Sequence, residues 1–311
     1  MTGSDLTWAQ SLAAGAQTLR SAGIEQAGLD ARLLLAAALD VSQTDLILRG
    51  RDPLSTEDAR KYENLVDRRL EREPVSRIIG VREFFGQTFA IGPAVLDPRP
   101  DTETLVESAL ALPDTTQGQE DKPWPCQILD LGTGSGAILL SLLPRWSGTT
   151  GVGVDISPAA LDVAARNAAT LGLGDRATFV CSDWDAALTT RFDLIVSNPP
   201  YISTPDLDEL DPEVARFDPG LALDGGRDGL DAYRALSHVA GRRLNPGGCL
   251  MVEIGHDQAG KVRKIFGHAG LTCEATVRDL AGRDRVIAAW NQKDTPDDED
   301  EKALGKLDRS S

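Results

Sequence analysis

Asp130-Leu131-Gly132-Thr133-Gly134-Ser135-Gly136-Ala137 is the stretch whose reading decides the fold. A strand-length run, Gln127 to Leu131, leads into it, and a helical run, Ala137 to Leu143, leads out. Three glycines at alternate positions let the backbone leave a strand at positive φ and, lacking Cβ atoms, let a ligand approach closely. A plain strand-to-helix turn would use the same glycines, so the loop is weighed with its surroundings.

Toward the C-terminus, strand-like and helical runs alternate. Gly151 to Asp155, Ala177 to Cys181 and Phe192 to Ser197 read as strands, and Pro158 to Thr170 as a helix. Leu230 to Leu244 reads as a further helix, stopped by Asn245-Pro-Gly-Gly, and Cys249 to Ile254, Thr272 to Arg278 and Arg285 to Trp290 complete seven strands. Such alternation predicts an α/β fold: a seven-stranded, mostly parallel, Rossmann-like sheet with helices on both faces, over residues 101–291. Its first helix is expected at Asp101 to Leu110, followed by a polar loop from Pro113 to Pro125.

Toward the N-terminus, residues 1–72 predict a small helical bundle. Trp8, Leu12, Ala16 and Leu19 recur at helical spacing, Leu29 to Leu39 is mostly apolar, and Ser55 with Asp58 announces a helix whose stripe is Tyr62, Leu65, Val66 and Leu70. Residues 73–100, punctuated by glycine and proline, predict a β-hairpin linker with arms at Val75 to Val81 and Phe84 to Ile91. Residues 292–311 are polar and acidic, and predict a solvated tail.

The chain has 311 residues, with 32 Lys and Arg against 48 Asp and Glu and a net charge of −16. A surface that acidic repels phosphate backbones, so no direct nucleic-acid binding is expected. Leu33 to Leu39 is the longest unbroken apolar run, far short of the roughly 20 residues of a membrane span, and the N-terminus lacks a secretory pattern. A cytoplasmic, monomeric protein without membrane association is the expectation. Cys126, Cys181, Cys249 and Cys273 match no metal or redox spacing, and His238, His256 and His268 are scattered. Buried thiols and no metal site are expected.

Two constellations carry chemistry. Asp155 ends the second strand 23 residues after Gly132, where an acid can accept hydrogen bonds from both hydroxyls of a ribose. The third glycine of the dinucleotide fingerprint is missing, as is a Gly-Lys-Ser/Thr triphosphate loop, which puts S-adenosylmethionine ahead of NAD and ATP. Asp183 and Trp184, after the third strand, are candidates to meet adenine. The other constellation is Asn198-Pro199-Pro200-Tyr201, directly after the fourth strand. An amide or aromatic NH₂ is a poor nucleophile because its lone pair is delocalised. The Asn198 side-chain oxygen and the Pro199 carbonyl can accept its two N–H groups, while Tyr201 offers a flat face for a planar group. Positioning and electrostatics would then carry most of the rate. Glu253 and His256 are read as structural.

Asp130 to Ala137, Asp155, Ser182 to Trp184 and Asn198 to Tyr201 together resemble class I methyltransferases acting on planar NH₂ groups. Four further stretches sharpen the likeness: Glu73-Pro-Val-Ser-Arg-Ile-Ile-Gly80, Glu83-Phe-Phe-Gly86, Val95-Leu-Asp-Pro-Arg-Pro-Asp-Thr-Glu103 and Leu221 to Asp231. With Asp284-Arg285-Val286, they make the chain similar to the release factor glutamine methyltransferases of the HemK type, over about residues 6–290. The resemblance implies methyl transfer from S-adenosylmethionine to the amide nitrogen of the glutamine in the Gly-Gly-Gln motif of peptide chain release factors. It implies cofactor contacts at Gly132, Thr133, Gly134, Ser135, Gly136, Asp155, Asp183, Trp184 and Asn198. Substrate binding would fall on Asn198, Pro199, Pro200 and Tyr201, with Asn198, Pro199 and Tyr201 catalytic and residues 1–72 helping to grip the protein substrate. The chain departs from the family pattern at Asp97 and at Ala215-Arg216. A DNA or RNA amino-methyltransferase would use the same tetrapeptide but is disfavoured by the charge, and a non-catalytic cofactor-binding module would require the tetrapeptide to be only a turn.

Overall fold

The computed structural model describes residues 6–112 and 127–292. The expected polar loop at Pro113 to Pro125 and the tail beyond Gln292 lie outside the described residues, as does Cys126. The chain forms two compact units, one of residues 1–82, 91–93 and 210–218 and the other of residues 83–90, 94–209 and 219–311.

The first unit is built on α1 (Trp8–Ser21), α2 (Ala27–Leu39), α3 (Gln43–Leu48), α4 (Thr56–Leu70) and α5 (Val75–Ile79). Caps set the starts. Thr7 and Gln10 satisfy each other's backbone amides before α1, and the Ser55 hydroxyl accepts from the Asp58 amide before α4. Leu19, Ala31, Leu34 and Leu35 are fully buried, with Trp8, Tyr62 and Ile78 closing the core around them. The short helix α9 (Pro212–Ala215) belongs to this unit although it lies far along the chain. Arg69 Nε lies 2.8 Å from Asp30 Oδ2 and its Nη1 3.3 Å from Glu213. Arg77 pairs with Asp218, both side chains being almost wholly buried.

The predicted strand at Val75 to Val81 is corrected: Val75–Ile79 is helical, capped by Gly80 in the left-handed region. Five residues make a single helical turn, too short for a helical period to show, and the apolar content misled the reading. The hairpin comes later, from β1 (Val81–Phe84) and β2 (Gln87–Ala90). Phe85 and Gly86 form its two-residue turn, with φ of 49° and 70°, the conformation that matches the right-handed strand twist.

The second unit holds one sheet with the order β5-β4-β3-β6-β7-β10-β8, and β9 also pairs with β10. The strands are β3 (Gln127–Leu131), β4 (Thr150–Asp155), β5 (Ala177–Cys181), β6 (Phe192–Ser197), β7 (Leu244–Glu253), β8 (Thr272–Cys273), β9 (Val277–Arg278) and β10 (Asp284–Trp290). From β5 to β7 every pairing is parallel, and β10 runs antiparallel to β7, β8 and β9. The expected single strand at Thr272 to Arg278 is two short pieces. β7 starts earlier than predicted, at Leu244, because Asn245-Pro-Gly-Gly is a bulge within the strand: Phe192 faces Leu244 but Leu194 already faces Cys249.

Side chains alternate across the sheet as strand geometry requires. Ile128, Leu194, Val196, Met251 and Val286 pack on one face with α6 (Glu103–Leu110) and α7 (Ala137–Leu142). Leu129, Leu131, Ile195, Leu250, Val252 and Ile287 pack on the other with α10 (Asp231–Arg243) and α11 (Ala259–His268). α11 was not foreseen; only Val262 and Phe266, one turn apart, are buried along it. Cys249 is buried, but Cys181 is exposed, contrary to expectation, because β5 is the edge strand. Among the described residues, no helix is long and apolar enough to cross a membrane.

Candidate active site

The chain leaves β3 to build β4 and β5 on one side and returns to build β6 and β7 on the other. Such a reversal opens a crevice at the C-terminal ends of the strands. A cavity of about 400 Å³ lies there, its walls drawn from the ends of β3, β4, β5 and β6 and from residues 94–102. That volume is in the range of small-molecule and cofactor sites.

The floor is the glycine-rich loop. Gly132 and Thr133 both donate backbone N–H bonds to the Val154 carbonyl at 2.9 Å, which ties the loop to the end of β4. Gly132 and Gly134 have φ of 71° and 54°, and a Cβ at either would meet nothing of the protein; it would instead occupy space toward which a ligand can approach. Thr133 Oγ1 donates to Asp130 Oδ2 at 2.7 Å. Burial pushes the Asp130 carboxyl up to about 7, against the lowering effect of the Thr133 hydroxyl. Gly136 is not part of the wall. It caps α7, and a Cβ there would lie 3.0 Å from Leu140 and 3.3 Å from Ala164, so its role is helix packing.

Asp155 reaches the cavity from the end of β4. Its Oδ2 accepts from the Gly134 amide at 3.0 Å and its Oδ1 from the Ser157 amide at 2.9 Å. Each carboxylate oxygen retains a lone pair, so the group is held in place and can still receive hydroxyls. Ser135, Asp183 and Trp184 also line the cavity. Trp184 has φ of 49°, a costly left-handed conformation for a bulky residue, and such strain concentrates at ligand sites.

Asn198 and Pro200 form the wall at the end of β6, whereas Pro199 and Tyr201 do not line the cavity. Pro199 is buried. The Tyr201 hydroxyl donates to Glu253 Oε1 at 3.4 Å. Burial, with the Glu253 charge beside it, pushes that phenol up to about 12, so it stays a donor. The main chain of the tetrapeptide is held from behind. Gln258 Nε2 donates to the Tyr201 carbonyl at 2.9 Å, and Gly225 packs so closely that a Cβ would lie 2.8 Å from the Pro200 carbonyl oxygen.

Several residues at the site escaped the sequence reading. Thr102, 4% exposed, accepts a hydrogen bond from Asn198 Nδ2 at 3.0 Å. Glu253, read as structural, is 1% exposed and lies behind the tetrapeptide, with Arg285 Nη1 at 3.9 Å. Burial pushes its carboxyl up to about 7, while the Thr102 hydroxyl, the Arg285 charge and the Tyr201 hydroxyl favour the ionised form. Among the described residues, no hydrogen bond reaches Glu253 Oε2. Asn167, 2% exposed, donates to the Ser135 carbonyl at 2.8 Å and exchanges two hydrogen bonds with Ala90. The only signal for Thr102 was its place in Pro98-Arg-Pro-Asp-Thr-Glu103, and Asn167 had none.

A family model described as the PrmC N-terminal domain matches residues 10–80, and one described as a methyltransferase domain matches residues 128–217. Release factor glutamine methyltransferases of Rhodospirillum rubrum and Bradyrhizobium diazoefficiens are 48% and 49% identical to the chain over 275 residues. Each alignment covers 88% of this chain, and 82% and 91% of the respective relative. A solved release factor-specific protein-(glutamine-N5) methyltransferase from Alicyclobacillus acidocaldarius is 31% identical; the match spans 66% of this chain and 100% of that one, with a TM-score of 0.38.

Proposed function

The chain belongs to the release factor glutamine methyltransferases, and from that premise we propose how its own residues perform the family's reaction. It transfers a methyl group from S-adenosylmethionine to the side-chain amide nitrogen of a release factor glutamine. The observation that carries our assignment of residues is that one cavity wall brings together the Asp155 carboxylate and the Asn198 amide.

The donor set fits the cofactor: a floor in which Gly132 and Gly134 lack Cβ atoms, an anchored carboxylate and an aromatic side chain. Asp155 would hold the ribose hydroxyls, Gly132 to Ser135 would face the remainder of the cofactor, and Asp183 with Trp184 would flank adenine. When bound, S-adenosylmethionine supplies a methyl group on a sulfonium, open to attack by nitrogen. Asn198 Oδ1 accepts one N–H of the glutamine amide, aligning the nitrogen and drawing electron density onto it, whereas Pro199, buried and off the cavity wall, stiffens the main chain beside it. As nitrogen acquires positive charge the Asn198 acceptor binds it more strongly, which is where rate is gained. The extra proton is acidic after transfer and needs no base beforehand.

We assign the target to the glutamine of the Gly-Gly-Gln motif, the helical unit to gripping the protein substrate, and the enzyme to the cytoplasm as a monomer. The test offers labelled S-adenosylmethionine with a release factor, the same factor with that glutamine changed to alanine, and duplex DNA. Label on the intact factor alone is expected; label on DNA would move the enzyme to the amino-methyltransferases of nucleic acids.

A further inference from the structure

On the reading that Asn198 receives the substrate amide, we propose that Thr102 is a positioning residue that decides which end of the Asn198 amide faces the substrate. An asparagine amide has two ends of nearly equal shape and opposite polarity. Turned one way, it offers Oδ1 to an incoming N–H; turned the other, it offers an N–H that repels the same group. Asn198 stands in the cavity wall, and its Nδ2 is committed to Thr102 Oγ1 at 3.0 Å. Oδ1 is therefore the end left for the substrate.

Thr102 is 4% exposed, so solvent does not compete for its oxygen, and the Asn198 amide is held with its N–H toward that hydroxyl and Oδ1 toward the cavity.

The test compares Thr102→Val, which keeps the shape but has no lone pair, with Thr102→Ser, which keeps the hydroxyl. Steady-state kinetics on a release factor are measured beside S-adenosylmethionine binding by calorimetry. Thr102→Val is expected to lower kcat about tenfold or more, as loss of one directing hydrogen bond does, with cofactor affinity within about twofold of wild type. Thr102→Ser is expected to restore most of the rate. Wild-type turnover in Thr102→Val, a joint fall of cofactor affinity and kcat, or a serine variant no better than valine overturns the inference. Asn198→Ala, run in parallel, separates the two levels. Full activity there overturns the reading of Asn198 and this inference with it, whereas an inactive Asn198→Ala beside an unaffected Thr102→Val overturns this inference alone.

Discussion

Asn198 offers the substrate an acceptor whose value grows with the charge on nitrogen, so its removal should act on turnover. Asn198→Ala is expected to cost about 1.5 to 3 kcal/mol of transition-state stabilisation, or about 10- to 150-fold in kcat, with little change in cofactor binding; steady-state kinetics and calorimetry check the split. Asp155→Ala should do the reverse first, weakening S-adenosylmethionine binding about tenfold or more through the loss of charge-assisted hydrogen bonds. Unchanged affinity by calorimetry would place the ribose elsewhere. These two residues were legible because each ends an apolar strand and stands in a local pattern. Thr102 and Glu253 were not, because their partners lie 96 and 52 residues away along the chain.

The buried carboxyls give the protein a pH response of definite sign. Asp130 and Glu253 are both pushed up to about 7 from ordinary values of 3.8 and 4.5. Between those limits the folded protein holds protons that the unfolded chain has released, so this contribution to stability is full in acid and lost as pH rises toward about 7. Thermal unfolding between about pH 5 and pH 8 should show a falling Tm, with a shallower slope in Glu253→Gln; equal slopes would remove Glu253 from the account.

Among the elements, the β–α alternation was readable because each strand is a short apolar run and each long helix repeats at its own period. The failures share a cause. Residues 75–79 make one helical turn, too short for a period to show, and α3 has only six residues. α11 (Ala259–His268) carries two glycines and three basic side chains around just two buried residues, so packing on the sheet, not sequence pattern, makes it helical. Asn167 shows how one element disciplines another. From α8 (Pro158–Thr170) it holds both β2 and the carbonyl of Ser135 in the glycine-rich loop. Asn167→Ala leaves buried backbone groups without partners and is expected to destabilise the fold by about 1 to 3 kcal/mol, read as a lower urea midpoint. The loop's tie should also make cofactor affinity fall with it.

At the scale of the whole molecule, a net charge of −16 suits a protein substrate better than a phosphate backbone. The first unit rests on buried charge as well as on its apolar core. Arg77→Met deprives the buried Asp218 carboxylate of its guanidinium and is expected to cost about 3 to 5 kcal/mol, much of it recovered when Asp218→Leu is added; urea unfolding of the single and double variants decides it. The chain's alternation of helical, mixed and α/β segments gave the order of these parts. It did not reveal that residues 210–218, nine positions beyond Tyr201, return to the helical unit, because ion pairs between distant arginines and acids leave no periodicity to read.

That return has a consequence for heredity. The chain passes between the two units after Arg82, Ala90, Pro93, Glu209 and Asp218, so no single break separates them. A recombination event that replaced the N-terminal helices with those of another gene would strand residues 210–218 against surfaces they had never met. The two units are therefore expected to be inherited together. A change in the helices must be answered by a change just downstream of the tetrapeptide, and the record of that correspondence should be a paired drift of Arg69, Arg72 and Arg77 with Glu213 and Asp218.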